Sequence, residues 1–276
     1  MTASHPSGRS RLVYGVDFSG ASDAGKKIWI TEGVIQGEAL RIEACYQAAD
    51  LPGSAVERDV CLAALRDFIA KETDSAFGLD FPFGLPRKLV KMDTWEDFVL
   101  FFPTTYPDQH AFRETCLRAA AGSEWKRVTD RESSTPFSPY NIRLYRQTYF
   151  GIRDLLAPLV RDGSACALPM QTALPDRPWM LEICPASTLK RESLYWRYKG
   201  RSEEHTRARE RILEGIEIMA HLSLPSPLRS VILDDSGGDA LDSVVAAFAI
   251  FRALRNPAGF VAAENDVYAV EGYVYV

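Results

Sequence analysis

The sequence predicts an α/β protein in which an antiparallel meander of three strands leads through a helix into a parallel fourth strand. Three strand-like runs separated by glycine-containing turns occur in succession, at residues 11–19, 26–35 and 39–48. An amphipathic helix over residues 56–73 then precedes a fourth apolar run at 75–84. Because a helix connects these two parts, the fourth strand is expected to run parallel to its neighbour in the meander.

The second half of the chain continues the α/β pattern after a long interruption. Residues 85–165 are aromatic and rich in arginine with helical pieces, which indicates a helical insertion after the fourth strand. A fifth strand is predicted at 179–184, and helices follow at 203–222 and 239–254. We therefore expect one domain over residues 11–276, preceded by a flexible tail at residues 1–10.

Composition narrows the class of protein. A chain of 276 residues that is 46% apolar is long enough for one large core. It has no apolar run near the roughly 20 residues that cross a bilayer and no apolar leader, so we expect a cytoplasmic protein without a membrane partner. Its five cysteines are scattered without a CxxC pair, which argues against a disulfide framework or a zinc site. A net charge of −5 argues against indiscriminate coating of nucleic acid.

Two strands carry an aspartate in the same setting. Alternation along the first strand places Asp17 on the face of Val13 and Gly15, opposite the larger apolar side chains. In the fourth strand Asp80 follows Gly78 on the corresponding small-residue face. An unpaired carboxylate inside a sheet costs several kcal/mol, so each needs water, a cation or donors nearby. Two such strands side by side would bring the carboxylates together.

The last helix adds two more acids. A stripe of two acids and three alanines follows a spacing of three and four residues, at Asp239, Asp242, Ala246, Ala249 and Ala253. Small residues permit close approach, so this stripe is expected to pack on the glycine-bearing face of the sheet. That packing would carry both acids of the helix to the strand ends that hold Asp17 and Asp80.

Glu182 is a fifth candidate, because alternation in the strand at 179–184 places it with Met180 and Cys184 just before Pro185. Carboxylates gathered in this way repel one another, and a hard divalent cation bound through oxygen relieves that repulsion. Two Mg²⁺ or Mn²⁺ ions roughly 3.5 to 4 Å apart would activate water and stabilise the leaving oxygen of a phosphodiester.

Each acid also has a structural interpretation, which the sequence leaves open. Asp17 and Asp80 can cap the turns that follow their strands. Asp239 stands at a helix start, where a carboxylate caps free N–H groups. Glu182 can pair with an arginine. Asp242 lies one turn further into the helix and is harder to assign to capping.

Basic residues are concentrated in two segments that also contain aromatic residues. Residues 186–211 hold eight Lys or Arg against four Glu, and residues 125–153 hold six against two acids. Arginine beside aromatic rings suits phosphate contacts and base stacking, although a solvated helix with Glu–Arg pairs also explains residues 203–211. The segment GASDAGKK, residues 20–27, nearly matches a phosphate-binding loop, but Lys27 replaces the required hydroxyl and strand formers follow, so a hairpin turn is predicted.

Taken together, the segments GVDFSG, GLDFPFGLP, LEICPAST, DALDSVVAAFA and EGYVYV resemble the domain-of-unknown-function 429 family, which is assigned to the ribonuclease H-like fold as predicted nucleases. The resemblance implies a mixed five-stranded sheet in the order 3-2-1-4-5 with helices on both faces. The insertion at 85–165, between strands 4 and 5, departs from minimal ribonuclease H domains. In the wider superfamily the metal ligands correspond to Asp17, Asp80, Asp239 and Asp242, whereas Glu182 belongs to the family's own E-x-x-P motif.

The resulting hypothesis is a metal-dependent nuclease that acts on DNA or RNA, with Asp17, Asp80, Glu182, Asp239 and Asp242 as catalytic candidates. Two alternatives stay open: a nucleotide-dependent phosphotransferase or ATPase of actin-like ancestry, and a non-catalytic module that binds metal or nucleic acid. The choice between DNA and RNA, endo or exo cleavage, and the oligomeric state are not predicted.

Overall fold

The structure, a computed structural model, describes residues 11–255 and 266–276, so the predicted tail at residues 1–10 lies outside the described residues. The strands are β1 Arg11–Asp17, β2 Trp29–Gln36, β3 Ala39–Gln47, β4 Ser75–Leu79, β5 Cys166–Leu168, β6 Trp179–Ile183 and β7 Val274–Tyr275. The helices are α1 Ala24–Lys27, α2 Arg58–Lys71, α3 Trp95–Thr105, α4 Gln109–Ala119, α5 Val128–Glu132, α6 Tyr145–Phe150, α7 Ala157–Arg161, α8 Pro185–Arg191, α9 Glu203–Met219, α10 Ser226–Asp234, α11 Asp239–Arg255 and α12 Tyr268–Glu271.

All seven strands form one mixed sheet with helices packed on it. Its order is β3-β2-β1-β4-β6-β5, and β7 also pairs with β6. The first three strands are antiparallel neighbours, whereas β4, β5, β6 and β7 enter through parallel pairings. The predicted five strands in the order 3-2-1-4-5 are corrected to seven, because β5 and β7 are too short, at three and two residues, to give an alternation pattern in the sequence.

Two predicted boundaries are also corrected. The fourth strand ends at Leu79 rather than at residue 84, because Pro82 has no N–H to donate and the N–H of Phe83 donates to the Glu182 side chain. The predicted hairpin turn before β2 contains the short helix α1. In this helix the N–H of Gly25 donates to the carbonyl of Val56 at 3.0 Å, which ties the turn to the residues just before α2.

The two faces of the sheet carry separate cores. On one face the large side chains of β1 and β4, such as Tyr14 and Phe77, pack with α2 and with the aromatic insertion. On the other face Val13 and Ala76 pack with α9, α10 and α11. This division confirms the predicted alternation of the two strands.

Helix α11 lies very close to the small-residue face. A Cβ at Gly15 would stand 1.9 Å from the carbonyl oxygen of Ser243 and 2.4 Å from the backbone nitrogen of Ala247. The predicted contact between the helix and the glycine-bearing strands is therefore confirmed, with Ser243 and Ala247 next to Ala246 at its centre. Only glycine permits this approach of two backbones.

The insertion at 85–165 holds helices α3 to α7, with a π-helical turn over Gly151–Leu156 between the last two. It reaches the end of β1, because the Gln147 side-chain N–H₂ donates to the carbonyl of Phe18 at 2.5 Å. The insertion therefore borders the sheet edge at which Asp17 lies.

The five cysteines all fall within the described residues and are free, four of them buried. This agrees with the prediction that the chain has no disulfide framework. Within the two described ranges, none of the helices combines the length and apolar character that a bilayer crossing requires.

Candidate metal centre

Asp17 and Asp80 lie side by side where β1 and β4 end. The parallel register pairs Gly15 with Gly78, and the N–H of Asp80 donates to the carbonyl of Val16 at 3.1 Å. Asp17 is the last residue of β1 and is 8% exposed. Each carboxyl group shifts the pKa of the other, and a hydrogen bond to Asp17 is among the influences on Asp80. Matched alternation in two parallel neighbours thus brings the two acids together.

The first turn of α11 supplies Asp239 and Asp242. One carboxylate oxygen from each of Asp17, Asp239 and Asp242 lies within 4.8 Å of the others. The helix start is capped by another residue than Asp239. The N–H of Ala240 donates to the Asp235 carboxylate at 2.9 Å. Asp235 therefore caps this helix, and the Asp239 carboxylate is left for other contacts.

Two residues that the sequence did not single out complete the cluster. The Tyr198 hydroxyl donates to Asp242 Oδ1 at 2.5 Å. Lys199 Nζ lies 2.7 Å from Asp242 Oδ2 and 3.2 Å from Asp239 Oδ1, with half of its side chain exposed. Lys199 belongs to the basic segment at 186–211, but nothing in the spacing of that segment distinguishes it. The single positive charge of Lys199 therefore balances only part of the negative charge of the clustered aspartates.

A buried arginine anchors the loop that delivers Tyr198 and Lys199. Arg209 of α9 is 2% exposed. Its guanidinium donates to the carbonyls of Tyr198 at 2.8 Å and of Gly200 at 3.0 Å. Because these bonds fix the backbone on both sides of Lys199, Arg209 is a positioning residue for the cluster.

Burial and mutual repulsion raise the pKa of the clustered acids. Burial, followed by the Asp242 and Asp80 carboxylates, raises the pKa of Asp17 well above its ordinary value. Burial and Asp242 raise the pKa of Asp80 to about 8, against the opposing effects of Lys199 and of the bond to Asp17. Burial also raises the pKa of Asp242, although Lys199 and Tyr198 oppose it. The cluster therefore favours a bound cation or proton over a set of free carboxylates.

Glu182 lies in a different network. Its carboxylate pairs with the guanidinium of Arg127 and accepts a bond from the N–H of Phe83 at 2.9 Å. Arg127 also donates to Asp130 at 2.7 Å, and all three charged side chains are almost fully buried. The structure thus brings four of the five predicted acids together and gives Glu182 the arginine partner of its alternative interpretation. Residues 203–211 likewise contain the Glu–Arg pair of a solvated helix, between Glu203 and Arg207.

A cavity of about 400 Å³ opens beside the cluster. It is lined by Asp80, Asp242 and Lys199 and, from the insertion, by Phe137 and Arg143. Asp242 keeps 4% of its surface exposed and Asp80 is half-buried, so a ligand in the cavity meets the cluster at these two acids.

The donor set fits a hard divalent cation. The three aspartates that lie within 4.8 Å offer only carboxylate oxygens, which Mg²⁺ and Mn²⁺ prefer, whereas zinc sites are built mostly from histidine and cysteine. The fold and site define a mixed α/β protein with a carboxylate cluster at the ends of two parallel strands. Comparisons with protein-family models, with curated proteins and with solved structures find no match for this chain.

Proposed function

We propose that the protein is a divalent-metal-dependent nuclease of the ribonuclease H-like type, related to the domain-of-unknown-function 429 family. The observation that carries the proposal is the convergence of Asp17, Asp239 and Asp242 within 4.8 Å, from positions more than 200 residues apart in the chain. A capping role for each acid separately would not bring them to one place. The β1–β4 pair and helix α11 supply the acids at the positions that the resemblance implies.

In this proposal Asp17, Asp80, Asp239 and Asp242 hold one or two Mg²⁺ or Mn²⁺ ions. Such ions, when bound, activate a water molecule and neutralise charge on the leaving oxygen of a phosphodiester. Tyr198 orients the Asp242 carboxylate through its hydroxyl. Lys199 neutralises Asp239 and Asp242 and, being half exposed, is also placed to contact a phosphate.

Glu182 has a supporting role in this proposal rather than a catalytic one. Its carboxylate holds the N–H of Phe83 and the guanidinium of Arg127, so it fixes the segment after β4 that carries Asp80. A carboxylate already engaged by a bidentate arginine has little capacity left for an additional cation.

DNA or RNA is the proposed substrate because cationic and aromatic side chains surround the acids. Lys199 and Arg143 line the cavity together with Phe137 and Tyr195. This combination suits a polyanion whose bases stack on aromatic rings.

The test is to incubate the full chain with Mn²⁺ or Mg²⁺ and labelled single-stranded, duplex, hybrid and branched nucleic acids. Asp17→Asn and Asp242→Asn are expected to lower cleavage at least 100-fold, since each removes a buried ligand without changing side-chain size. Asp162→Asn is the matched control, because Asp162 is an exposed aspartate outside the cavity.

Three outcomes would reject the proposal. Cleavage that survives Asp17→Asn in full would assign the activity to a contaminant. Binding of Mn²⁺ without cleavage of any member of the panel would favour the non-catalytic module, and release of phosphate from ATP under the same conditions would favour the phosphotransferase alternative.

A further inference from the structure

We infer that the cavity beside the metal centre accepts one unpaired nucleotide at a time, so that the substrate is a single strand or a frayed end rather than an intact duplex. The inference rests on the proposed function, and it assigns the insertion at 85–165 the role of selecting the substrate.

The depth of the acids limits how a phosphate reaches them. Asp242, which lines the cavity with Asp80, keeps only 4% of its surface exposed, and the insertion borders the end of β1 through the bond between Gln147 and Phe18. A phosphodiester must therefore enter the cavity to meet Asp80 and Asp242. The backbone of a duplex that rests on the rim does not bring its phosphates to such buried groups.

The size of the cavity matches a small ligand. Its volume of about 400 Å³ lies at the lower end of the roughly 300 to 1,000 Å³ of pockets that bind small molecules. A pocket on this scale holds one nucleotide with its phosphate. A base pair must open first, and that opening costs a few kcal/mol unless the strand is already single.

The walls carry the groups that recognise an unpaired nucleotide. The Arg143 guanidinium lies 5.5 Å from the centre of the Phe137 ring, and in the described part of the chain it has no carboxylate partner. Tyr195, which also lines the cavity, is 53% exposed. An arginine without an acidic partner suits a phosphate, and aromatic rings that line a cavity suit a stacked base.

The other arginine of the cavity is not available for this purpose. Arg127 is committed to the carboxylates of Asp130 and Glu182. Arg143 is therefore assigned as the phosphate contact and Phe137 as the stacking platform, both from the insertion.

The experiment measures binding separately from cleavage. Fluorescence anisotropy compares labelled single-stranded DNA and RNA with a DNA dumbbell, a duplex closed at both ends by non-nucleotide linkers, on the Asp17→Asn chain. Single strands are expected to bind at least tenfold more tightly than the dumbbell stem. Phe137→Leu is expected to weaken single-strand binding about fivefold or more, because stacking contributes roughly 1 to 3 kcal/mol per base.

A charge variant and a matched control complete the design. Arg143→Gln, at an exposed position, is expected to weaken single-strand binding severalfold. The slope of the logarithm of the binding constant against the logarithm of the salt concentration should become shallower by about 0.7, as for one lost phosphate contact on a single strand. Arg161→Gln removes an exposed arginine that lines a separate cavity and should leave affinity unchanged.

Equal affinity for the dumbbell and the single strands would overturn the inference, and so would Phe137→Leu and Arg143→Gln variants that both bind like Arg161→Gln. Failure of the proposed function gives a different result, namely no cleavage of any substrate by the unsubstituted chain in Mn²⁺. Cleavage of the dumbbell stem as rapidly as a single strand would contradict the substrate class alone.

Discussion

The contact between β1 and α11 predicts that Gly15→Ala is among the most damaging small substitutions in the chain. The new methyl group would meet the carbonyl oxygen of Ser243 at 1.9 Å and the backbone nitrogen of Ala247 at 2.4 Å. Both atoms belong to the backbone of a buried helix, so no rotation of a side chain relieves the overlap. The helix itself has to move.

The required movement follows from the distances. An ordinary contact begins at 3.4 Å, so α11 must retreat by about 1.5 Å along the whole stretch that packs on the sheet. Overpacking a core usually costs about 1 to 3 kcal/mol. Because the obstacle here is backbone on both sides, we expect a loss of at least about 3 kcal/mol from a total stability on the order of 5 to 15 kcal/mol.

Two other glycines are expected to tolerate alanine better than Gly15, so the three substitutions form a series of increasing cost in stability. At Gly78 the nearest atoms are the γ-carbons of the buried Ile183 and Ile250 side chains, both at 2.8 Å, and the carbonyl oxygen of Ala246 at 3.1 Å, so Gly78→Ala is expected to cost about 1 to 3 kcal/mol. At Gly37 a Cβ meets nothing within 4 Å and only the positive φ of +59° opposes it, so Gly37→Ala is expected to cost about 1 kcal/mol.

Urea unfolding followed by tryptophan fluorescence measures the series, since Trp95 is almost fully buried and reports on the core. Movement of α11 also displaces Asp239 and Asp242, so Gly15→Ala should lose most of the stabilisation that Mn²⁺ gives the unsubstituted chain. If Gly15→Ala unfolds within about 0.5 kcal/mol of Gly37→Ala, the claim that glycine sets the position of the helix is wrong.

Three further predictions concern charge. Burial and repulsion raise the pKa of Asp80 from 3.8 to about 8, so this group keeps its proton in the folded protein after the unfolded chain has lost it. In EDTA, the free energy of unfolding should therefore fall as the pH rises from about 4 to about 8, by about 1.4 kcal/mol per pH unit for each proton that only the folded chain retains. Thermal midpoints that rise over this pH range would contradict the raised pKa of Asp80. Lys199→Gln removes the ammonium that pairs with Asp239 and Asp242 and competes with a cation for them. Calorimetry should therefore give a roughly fivefold higher affinity for Mn²⁺, which corresponds to about 1 kcal/mol for a half-exposed ion pair. A lower affinity would mean that Lys199 helps the acids to bind the ion. Arg127→Gln leaves two carboxylates buried without a cation and should cost about 3 to 5 kcal/mol in thermal unfolding, whereas a loss below about 1 kcal/mol would show that the network is not needed.

The parts of the fold that follow from local periodicity were predictable from the sequence. Alternation in the first and fourth strands gave the two faces of the sheet, because the side-chain period of a strand is exactly two. The spacing of Asp239, Asp242 and Ala246 gave the face of α11 that meets Gly15, because residues three and four apart share a helix face. These rules located four acids that the structure brings together.

The remainder depends on contacts that leave no periodic signal. Strand β7 is only two residues long and forms through its pairing with β6. Tyr198 and Lys199 reach the cluster because Arg209 holds the carbonyls of their loop, and no spacing rule connects a loop to a helix that follows it. Glu182 has the alternation of a site residue, but its partner Arg127 lies 55 residues away and is met only in the folded chain.

Helix α11 links the stability of the core to the chemistry proposed for the acids. Its buried face holds Ser243 and Ala247 against Gly15, and one turn earlier the same helix carries Asp239 and Asp242 to Asp17. The acids repel one another, so they would spread apart if packing allowed it. Packing does not allow it, because withdrawal of α11 would open the interface that Gly15 closes. The close backbone contact of β1 with α11 therefore sustains the electrostatic strain of the cluster, and a bound divalent ion should relieve that strain without moving the helix.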